Sequence, residues 1–302
     1  MNNKTKSNIM LFLCAFIWGG AFVAQSAGMD YIGPWTFICL RYFVGGLTLV
    51  VLIPFIDKLR GRDGKETKTE KIAERKVLLM GGIACGCALC AGGVLQQFGI
   101  QTTSVGKAGF LTALYTIIVP ILGLFIGKKT RPLVWGCVVL SCIGFYFLSI
   151  SGSVSIESGD LRVLLGSVMF AVHILVIDYF SPLTDGVRMS CIQFFVAAAI
   201  AFVPMIVFEH PSLANIFAAG APILYAGVLS SGIAYTLQIL GQRGAEPAVA
   251  SMILSLEAVF AAIFGFLFLH EVLSLREFFG CALIFAAILL AQLPEQRGGV
   301  IG

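Results

Sequence analysis

Residues 248–269 read AVASMILSLEAVFAAIFGFLFL, an apolar run in which Glu257 is the single charged side chain. A helix needs about 20 such residues to cross the hydrocarbon core of a bilayer. Nine more runs of similar length and composition occur along the chain, separated by polar segments. The sequence therefore predicts an all-α, polytopic membrane protein with ten transmembrane helices. The predicted spans 1 to 10 cover residues 9–27, 33–56, 77–98, 108–126, 133–150, 161–180, 189–208, 216–240, 248–269 and 275–293.

The composition agrees with this reading. Of the 302 residues, 58% are hydrophobic and 12% are charged, about half the charged share of a soluble domain, which is roughly 25%. The net charge is +4, but the Lys and Arg residues lie between the spans and not on an aromatic surface that could stack bases. The sequence thus argues against a nucleic-acid-binding protein.

The nine cysteines fall in apolar runs, where a thiol packs as a small hydrophobic group. No disulfide framework is predicted from them. Cys85, Cys87 and Cys90 form one cluster, but no His lies near them in the sequence, and Gly86 and Ala88 suggest close helix packing instead. We therefore expect no metal site.

Lys and Arg residues are distributed unevenly between alternate loops. Basic residues near short loops favour the cytoplasmic side of a membrane. If the N-terminus is cytoplasmic, sixteen of the 20 Lys and Arg residues fall in cytoplasmic segments, and only Lys107, Arg162 and Arg276 fall in outer loops. This asymmetry predicts a multi-pass protein of the cell membrane with both termini in the cytoplasm. Residues 57–76 carry both signs of charge and are predicted to form a solvated loop.

The second half of the chain repeats features of the first half at two fixed offsets. The offset changes between the second and third spans of each half, where only the first half carries the long basic loop 57–76. The matched pairs are Trp18 with Phe170, Cys39 with Cys191, Arg41 with Gln193 and Phe43 with Phe195 at an offset of 152, and Leu95 with Leu237, Gln96 with Gln238, Gly99 with Gly241 and Tyr115 with Glu257 at an offset of 142.

These matches predict two five-span repeats, residues 1–151 with the loop 57–76, and residues 152–302. Because five is an odd number, the two repeats would enter the membrane from opposite sides. Inverted repeats of this kind are common in carriers, where they enclose a site near the bilayer midplane. Chance matching of Leu, Gly and Phe in apolar sequence is the alternative.

Several stretches of the chain resemble the EamA family of the drug/metabolite transporter superfamily. They are 225–292 with its small-residue run 227–232, the segment 245–257 and His270-Glu271; Trp18-Gly19-Gly20 with Phe22; Arg41; Thr103-Ser104 with Ala108; and the Pro120 region. The resemblance implies ten helices and transport of a small metabolite, most often export. Two positions depart from the family pattern: Ala258 replaces a common proline, and Lys128-Lys129 replace an acidic residue.

Ionisable side chains inside spans are costly in lipid and are therefore candidates for function. Glu257, near the middle of span 9, could bind a substrate amine or carry a proton, or it could serve as an ion-pair partner for Arg41 in span 2. His173 in span 6 could couple transport to protons, or it could be a neutral imidazole bonded to a neighbouring helix.

Uncharged polar and aromatic side chains complete the predicted substrate site. Gln96 and Gln238 have amides suited to uncharged or zwitterionic solutes, although such residues also join helices to one another. Trp18, Tyr115 and Tyr235 could form aromatic walls, with core packing as the alternative for each. The predicted substrate-binding set is Trp18, Gln96, Tyr115, Tyr235, Gln238 and Glu257, and the predicted set for proton coupling or an ion pair is Arg41, His173 and Glu257.

We expect a carrier that moves a small organic metabolite, such as an amino acid, by alternating access. Its expected partners are the solute and the lipid bilayer, with a homodimer left open, and no cofactor or catalytic residue is expected. The alternative is a membrane-embedded enzyme that acts on a lipid or hydrophobic substrate. His173 and Asp178 have an H-x-x-x-x-D spacing, but five residues on a helix point the two side chains apart.

Overall fold

The computed structural model describes residues 3–60, 68–149, 158–269, 274–291 and 293, and within these ranges the chain is helical without β-strands. The α-helices are Asn3–Gly28, Pro34–Arg60, Lys68–Ile100, Val105–Ala113, Tyr115–Phe125, Pro132–Ser149, Ser158–Phe180, Gly186–Pro204, Leu213–Ala218, Gly220–Leu224, Thr236–Gln242, Pro247–Leu254, Leu256–Leu269 and Leu275–Ala291, with π-helices at Met205–Glu209 and Tyr225–Tyr235.

Eight helical segments in the described ranges are long and apolar enough to cross a membrane, which makes the chain a polytopic membrane protein. They coincide with predicted spans 1 to 4 and 6 to 9. At the positions of spans 5 and 10, the structure has the shorter apolar helices Pro132–Phe147 and Phe278–Ala291. We keep the numbering of spans 1 to 10 for all of these segments.

The polar ends of spans 2 and 3 extend further than hydropathy predicts. Residues 57–60 and 68–76 of the predicted loop are helical, and residues 61–67 lie outside the described residues. Lys, Glu, Ala and Arg have high helix propensity, so a helix can continue past the apolar part of its sequence. His270 and Glu271, which belong to the family pattern, also lie outside the described residues.

The main contacts between spans recur in both halves when spans 1, 2, 3, 4 and 5 are paired with spans 6, 7, 8, 9 and 10. Span 3 packs against spans 6 and 7, and span 8 packs against spans 1 and 2. Span 1 packs against span 9, and span 6 packs against span 4, while spans 2 and 7 pack against each other, as do spans 5 and 10. The main contacts between spans therefore recur in both halves.

Close helix contacts repeat in the same way at two matched glycines. A Cβ atom added to Gly99 would lie 2.3 Å from Val163, and one added to Gly241 would lie 2.9 Å from Leu11. Leu11 and Val163 are matched at the offset of 152, and Gly99 and Gly241 are matched at the offset of 142. Both glycines thus allow the same close approach between a helix of one half and a helix of the other, with the two halves exchanged.

Spans 4 and 9 are each interrupted by one residue with similar backbone angles. Leu114 has φ −62° and ψ −13°, and Ser255 has φ −64° and ψ −10°. At each break an N–H group donates to the carbonyl three residues earlier, from Ile117 to Leu114 at 3.0 Å and from Ala258 to Ser255 at 3.1 Å. Span 9 therefore breaks without the proline that the family often places at position 258.

Serine hydroxyls account for part of the break in span 9. Ser255 Oγ donates to the carbonyl of Met252 at 2.7 Å, and Ser251 Oγ donates to the carbonyl of Ala248 at 2.8 Å. Such side-chain bonds compete with the regular helix pattern. Because span 9 is interrupted at Ser255, Glu257 lies in the first turn of the helix Leu256–Leu269, where the helix dipole favours a negative charge.

Candidate functional site

A buried cavity lies between spans 1, 2, 3, 4, 6, 8 and 9, and all eight side chains predicted from the sequence line it. None of the eight is more than 9% exposed, so none faces the surrounding lipid. The lining residues are Trp18, Ala21, Phe22, Gln25, Arg41, Gln96, Thr112, Tyr115, Phe170, His173, Ile174, Ser230, Tyr235, Gln238 and Glu257.

The two halves of the chain contribute matched residues to this cavity. Ten of the lining residues form five pairs at the two offsets found in the sequence. The pairs are Trp18 with Phe170, Ala21 with His173 and Phe22 with Ile174 at 152, and Gln96 with Gln238 and Tyr115 with Glu257 at 142. The cavity therefore has similar walls from both halves, with different chemistry at the matched positions.

Arg41 is held in the cavity by neutral partners. Its Nη1 donates to Gln25 Oε1 at 2.9 Å, and its Nη2 donates to Ser230 Oγ at 3.0 Å. The guanidinium also lies 5.2 Å from the ring centre of Tyr42, within the range of a cation–π contact. Arg41 Nε has no hydrogen-bond partner among the described residues, so its N–H group remains available to a ligand.

Glu257 does not form the ion pair with Arg41 that was one of the two alternatives. Within the described part of the chain, no ion pair joins the two residues, and Glu257 Oε1 has no hydrogen-bond partner. Gln238 Oε1 and Tyr115 Oη, from two other lining residues, also lack partners there. Buried polar atoms are nearly always satisfied, so this group is suited to a polar ligand.

His173 both lines the cavity and bonds to a neighbouring helix. Its Nε2 lies 2.9 Å from Gln193 Oε1 in span 7, and the Gln193 amide nitrogen donates to Ser190 Oγ at 3.3 Å. The imidazole ring meets the Tyr235 ring edge-on, with ring centres 5.8 Å apart. Gln193 is the residue that matches Arg41 in the other half, so the two positions hold different polar groups.

Aromatic and amide side chains form the remaining walls. The rings of Trp18 and Tyr235 have centres 4.6 Å apart, and Trp18 Nε1 donates to the Ser230 carbonyl at 3.3 Å. Gln96 Nε2 donates to Thr112 Oγ1 at 2.8 Å. Gln96 thus both joins spans 3 and 4 and faces the cavity.

The sequence interpretation missed Gln25, Thr112 and Ser230. Each is an uncharged polar residue in an apolar span, a pattern too common to indicate function. The one available signal was Arg41 itself, because a buried guanidinium requires acceptors from nearby spans.

The cavity is small in this structure, with a volume of about 30 Å³. A single water needs roughly 10–15 Å³ of cavity volume, so the space has room for about two waters. An organic solute could enter only if the surrounding spans moved apart.

The residues that suggested an enzyme do not form a catalytic group. Asp178 pairs with Lys128, with Nζ and Oδ2 2.6 Å apart, at the end of the helix Ser158–Phe180 and away from the lining of the cavity. Among the described residues, no three His, Cys, Asp or Glu side chains are close enough together to hold a metal ion.

Comparisons with known proteins agree with a transporter. The sequence model of the EamA-like transporter family matches residues 5–150 and again residues 157–293. An uncharacterized transporter of Archaeoglobus fulgidus is 29% identical, over 95% of this chain and 86% of its own length. The uncharacterized transporter YoaV of Bacillus subtilis is 27% identical, over 93% of this chain and 94% of its own length. The uncharacterized inner membrane transporter YedA of Escherichia coli K12 is 24% identical, over 94% of this chain and 90% of its own length.

A solved crystal structure also has this fold. It aligns with a TM-score of 0.75 at 16% identity, and the alignment covers 95% of this chain and 96% of that one. At this identity the likeness concerns the fold alone, whereas the family model matches almost the whole sequence. The chain therefore belongs to the EamA-like transporter family.

Proposed function

We propose that this transporter carries a zwitterionic organic solute, an amino acid with an apolar side chain or a close relative, out of the cell by alternating access. The observation that carries the proposal is that Arg41 and Glu257 share one buried cavity without pairing with each other. The proposal includes a cell-membrane location, cytoplasmic termini and two inverted repeats, residues 1–151 and 152–302.

The chemistry of the cavity suits both ends of such a solute. A carboxylate would accept from Arg41, and an ammonium group would donate to Glu257 and Gln238. An isolated buried charge is costly, so a ligand that neutralises the cation and the anion together is favoured over one that meets only one of them. Phe22 and Phe170 give the cavity apolar surface for a side chain.

The arrangement of spans 2 and 7 supports inverted repeats. Asp57, at the end of span 2, binds Arg188 at the start of span 7. Glu209, at the end of span 7, binds the backbone N–H of Trp35 at the start of span 2. The matched spans therefore run antiparallel, as the corresponding helices of inverted repeats do.

This arrangement and the small cavity support alternating access. Two similar halves that exchange conformations produce outward-open and inward-open states around one site. Proton coupling, where present, would use Glu257 or His173 as the carrier, whereas a solute gradient alone would require neither. Export is the direction that the family resemblance implies.

The proposal can be tested with purified protein in liposomes and labelled L-leucine as the probe. We expect leucine exchange without ATP, with weaker competition by 3-methylbutylamine and 4-methylpentanoate, which each lack one of the two charges. Arg41→Gln and Glu257→Gln should each lower the apparent leucine affinity at least tenfold, because a charged hydrogen bond contributes about 1.5–3 kcal/mol.

Matched controls are Arg162→Gln and Glu74→Gln, which remove the same charges away from the cavity and should leave exchange unchanged. Equal competition by the zwitterion and by its two analogues would contradict the proposed substrate class. Chemical conversion of the labelled probe would instead favour the membrane-embedded enzyme.

A further inference from the structure

The helix of span 8 is π-helical over Tyr225–Tyr235, a stretch that we call the π segment. In a π-helix each N–H bonds to the carbonyl five residues earlier, so one turn holds an additional residue. Most π-helices are single-turn bulges, and they occur often at functional sites. The segment contains Ser230 and Tyr235, which both line the cavity.

A comparison with span 3 identifies the extra residue. Near the start of the π segment, a Cβ atom on Gly227 would lie 2.6 Å from Val44, and in span 3 one on Gly86 would lie 2.7 Å from Val196. Val44 and Val196 are matched at the offset of 152, so the two glycines make the same contact in opposite halves. The offset between Gly86 and Gly227 is 141.

After the π segment the offset is 142. Gln96 and Gln238 are matched at this offset, and both line the cavity. The equivalent glycine contacts of Gly99 and Gly241 have the same offset. Span 8 therefore contains one more residue than span 3 between Gly227 and Gln238, and the π-helix accommodates it while both flanking contacts are kept.

The extra residue coincides with an asymmetry of the cavity. Span 3 contributes only Gln96 to the lining, whereas span 8 contributes Ser230, Tyr235 and Gln238. Ser230 binds two other lining residues at once. Its carbonyl accepts from Trp18 Nε1 at 3.3 Å, and its hydroxyl accepts from Arg41 Nη2 at 3.0 Å.

We propose that Ser230, presented by the one-residue insertion in span 8, is a positioning residue that orients Arg41 and Trp18 for the carboxylate of the solute. The inference rests on the proposed function for its substrate. The preference for an anionic group then belongs to the part of the cavity beside Arg41. The other half lacks the insertion, and its residue matched to Arg41 is the neutral Gln193.

The first test compares Ser230→Ala with Ser231→Ala in the binding of leucine and 3-methylbutylamine. Ser231 is a matched control, because it is buried beside Ser230, its hydroxyl has no partner among the described residues, and it does not line the cavity. Ser230→Ala should weaken leucine binding about tenfold and leave binding of the amine unchanged, whereas Ser231→Ala should alter neither. Equal effects of the two substitutions on leucine would overturn the proposal.

The second test does not depend on the solute. In a Trp35→Phe/Trp135→Phe background, Trp18 is the only tryptophan, and its indole N–H resonance reports the bond to the Ser230 carbonyl. Deletion of Leu229, an exposed residue of the π segment, should shift this resonance, whereas Ser230→Ala, which keeps the carbonyl, should not. An unshifted resonance in a folded deletion variant would refute the positioning by the π segment.

The two tests separate the two proposals. If the unaltered protein does not bind leucine but the deletion shifts the Trp18 resonance, the proposed substrate is wrong and the positioning by the π segment holds. If leucine binds and Ser230→Ala behaves as Ser231→Ala does, the positioning role is wrong and the proposed function stands. Where the deletion variant does not fold, the comparison of the two serine variants decides.

Discussion

At the scale of single residues, the cavity contains two ionisable side chains, Arg41 and Glu257, that do not pair with each other. Arg41 is held by an amide oxygen and a hydroxyl, and Glu257 Oε1 has no partner in the described part of the chain. A buried charge without a partner lowers the stability of a fold. Its retention is therefore best understood as a cost that substrate binding offsets.

This cost predicts that one substitution at Glu257 has opposite effects on thermal stability and on leucine binding. Glu257→Gln keeps the shape of the side chain and replaces a buried ionisable carboxyl group with a neutral amide, so it should raise the melting temperature of the detergent-solubilised protein while it lowers leucine binding. Thermal unfolding with and without leucine measures both effects. A lower melting temperature without leucine would mean that Glu257 has a stabilising partner.

The residues of the site could be predicted from the sequence to different degrees. Charged and aromatic candidates were identified because a charge inside an apolar span is rare and because Gln96 and Gln238 match in the two halves. Gln25 and Ser230 were not identified, since their role depends on which spans are neighbours. The ion pair considered for Arg41 and Glu257 is absent because Gln25 and Ser230 bind the guanidinium instead.

At the scale of helices, hydropathy predicted where the spans lie but not how they are interrupted. The breaks at Leu114 and Ser255 and the π segment lie within continuous apolar sequence. Hydropathy measures the preference of side chains for lipid, whereas a break depends on local hydrogen bonds and on packing against other spans. The sequence offsets of 152 and 142 did not reveal the inserted residue, because the change from 141 to 142 within span 8 is recognised only from the equivalent glycine contacts in the structure.

Glycines at helix contacts give a prediction at this scale. Ala at position 99 would place its Cβ 2.3 Å from Val163, so Gly99→Ala should destabilise the protein by about 1–3 kcal/mol, as overpacking does. Gly136→Ala is the control, because nothing lies within 4 Å of its added Cβ and a helical Gly→Ala change gains roughly 0.5–1 kcal/mol. Equal stabilities of the two variants in thermal unfolding would show that the contact at Gly99 is not required.

At the scale of the whole molecule, two contacts join spans 2 and 7 at their opposite ends. At one end Arg188 Nη2 lies 2.5 Å from Asp57 Oδ2. At the other end Glu209 accepts from the backbone N–H groups of Trp35 and Thr36 at 2.9 and 2.7 Å. Asp57 and Glu209 are matched at the offset of 152, so the same position of each half provides a carboxylate that binds the start of the matched span.

Both contacts are present together in a structure whose central cavity has room for only about two waters, which is the arrangement expected of a closed state. In the proposed alternating access, opening one side for a solute requires spans to separate at that end, and the contact there has to be released first. Asp57→Asn and Glu209→Gln should therefore favour opening at opposite ends of the molecule, because each substitution removes the negative charge from one end and leaves the other intact.

Hydrogen–deuterium exchange in lipid nanodiscs can measure this difference. In Asp57→Asn we expect faster exchange at residues 186–190 with little change at residues 34–37, and in Glu209→Gln we expect the reverse. Asp30→Asn, which alters another acidic residue without removing either contact, is the control. Faster exchange at the same end in both variants would mean that the two contacts do not control the two ends separately, and the closed state would then have to depend on the packing around the cavity instead.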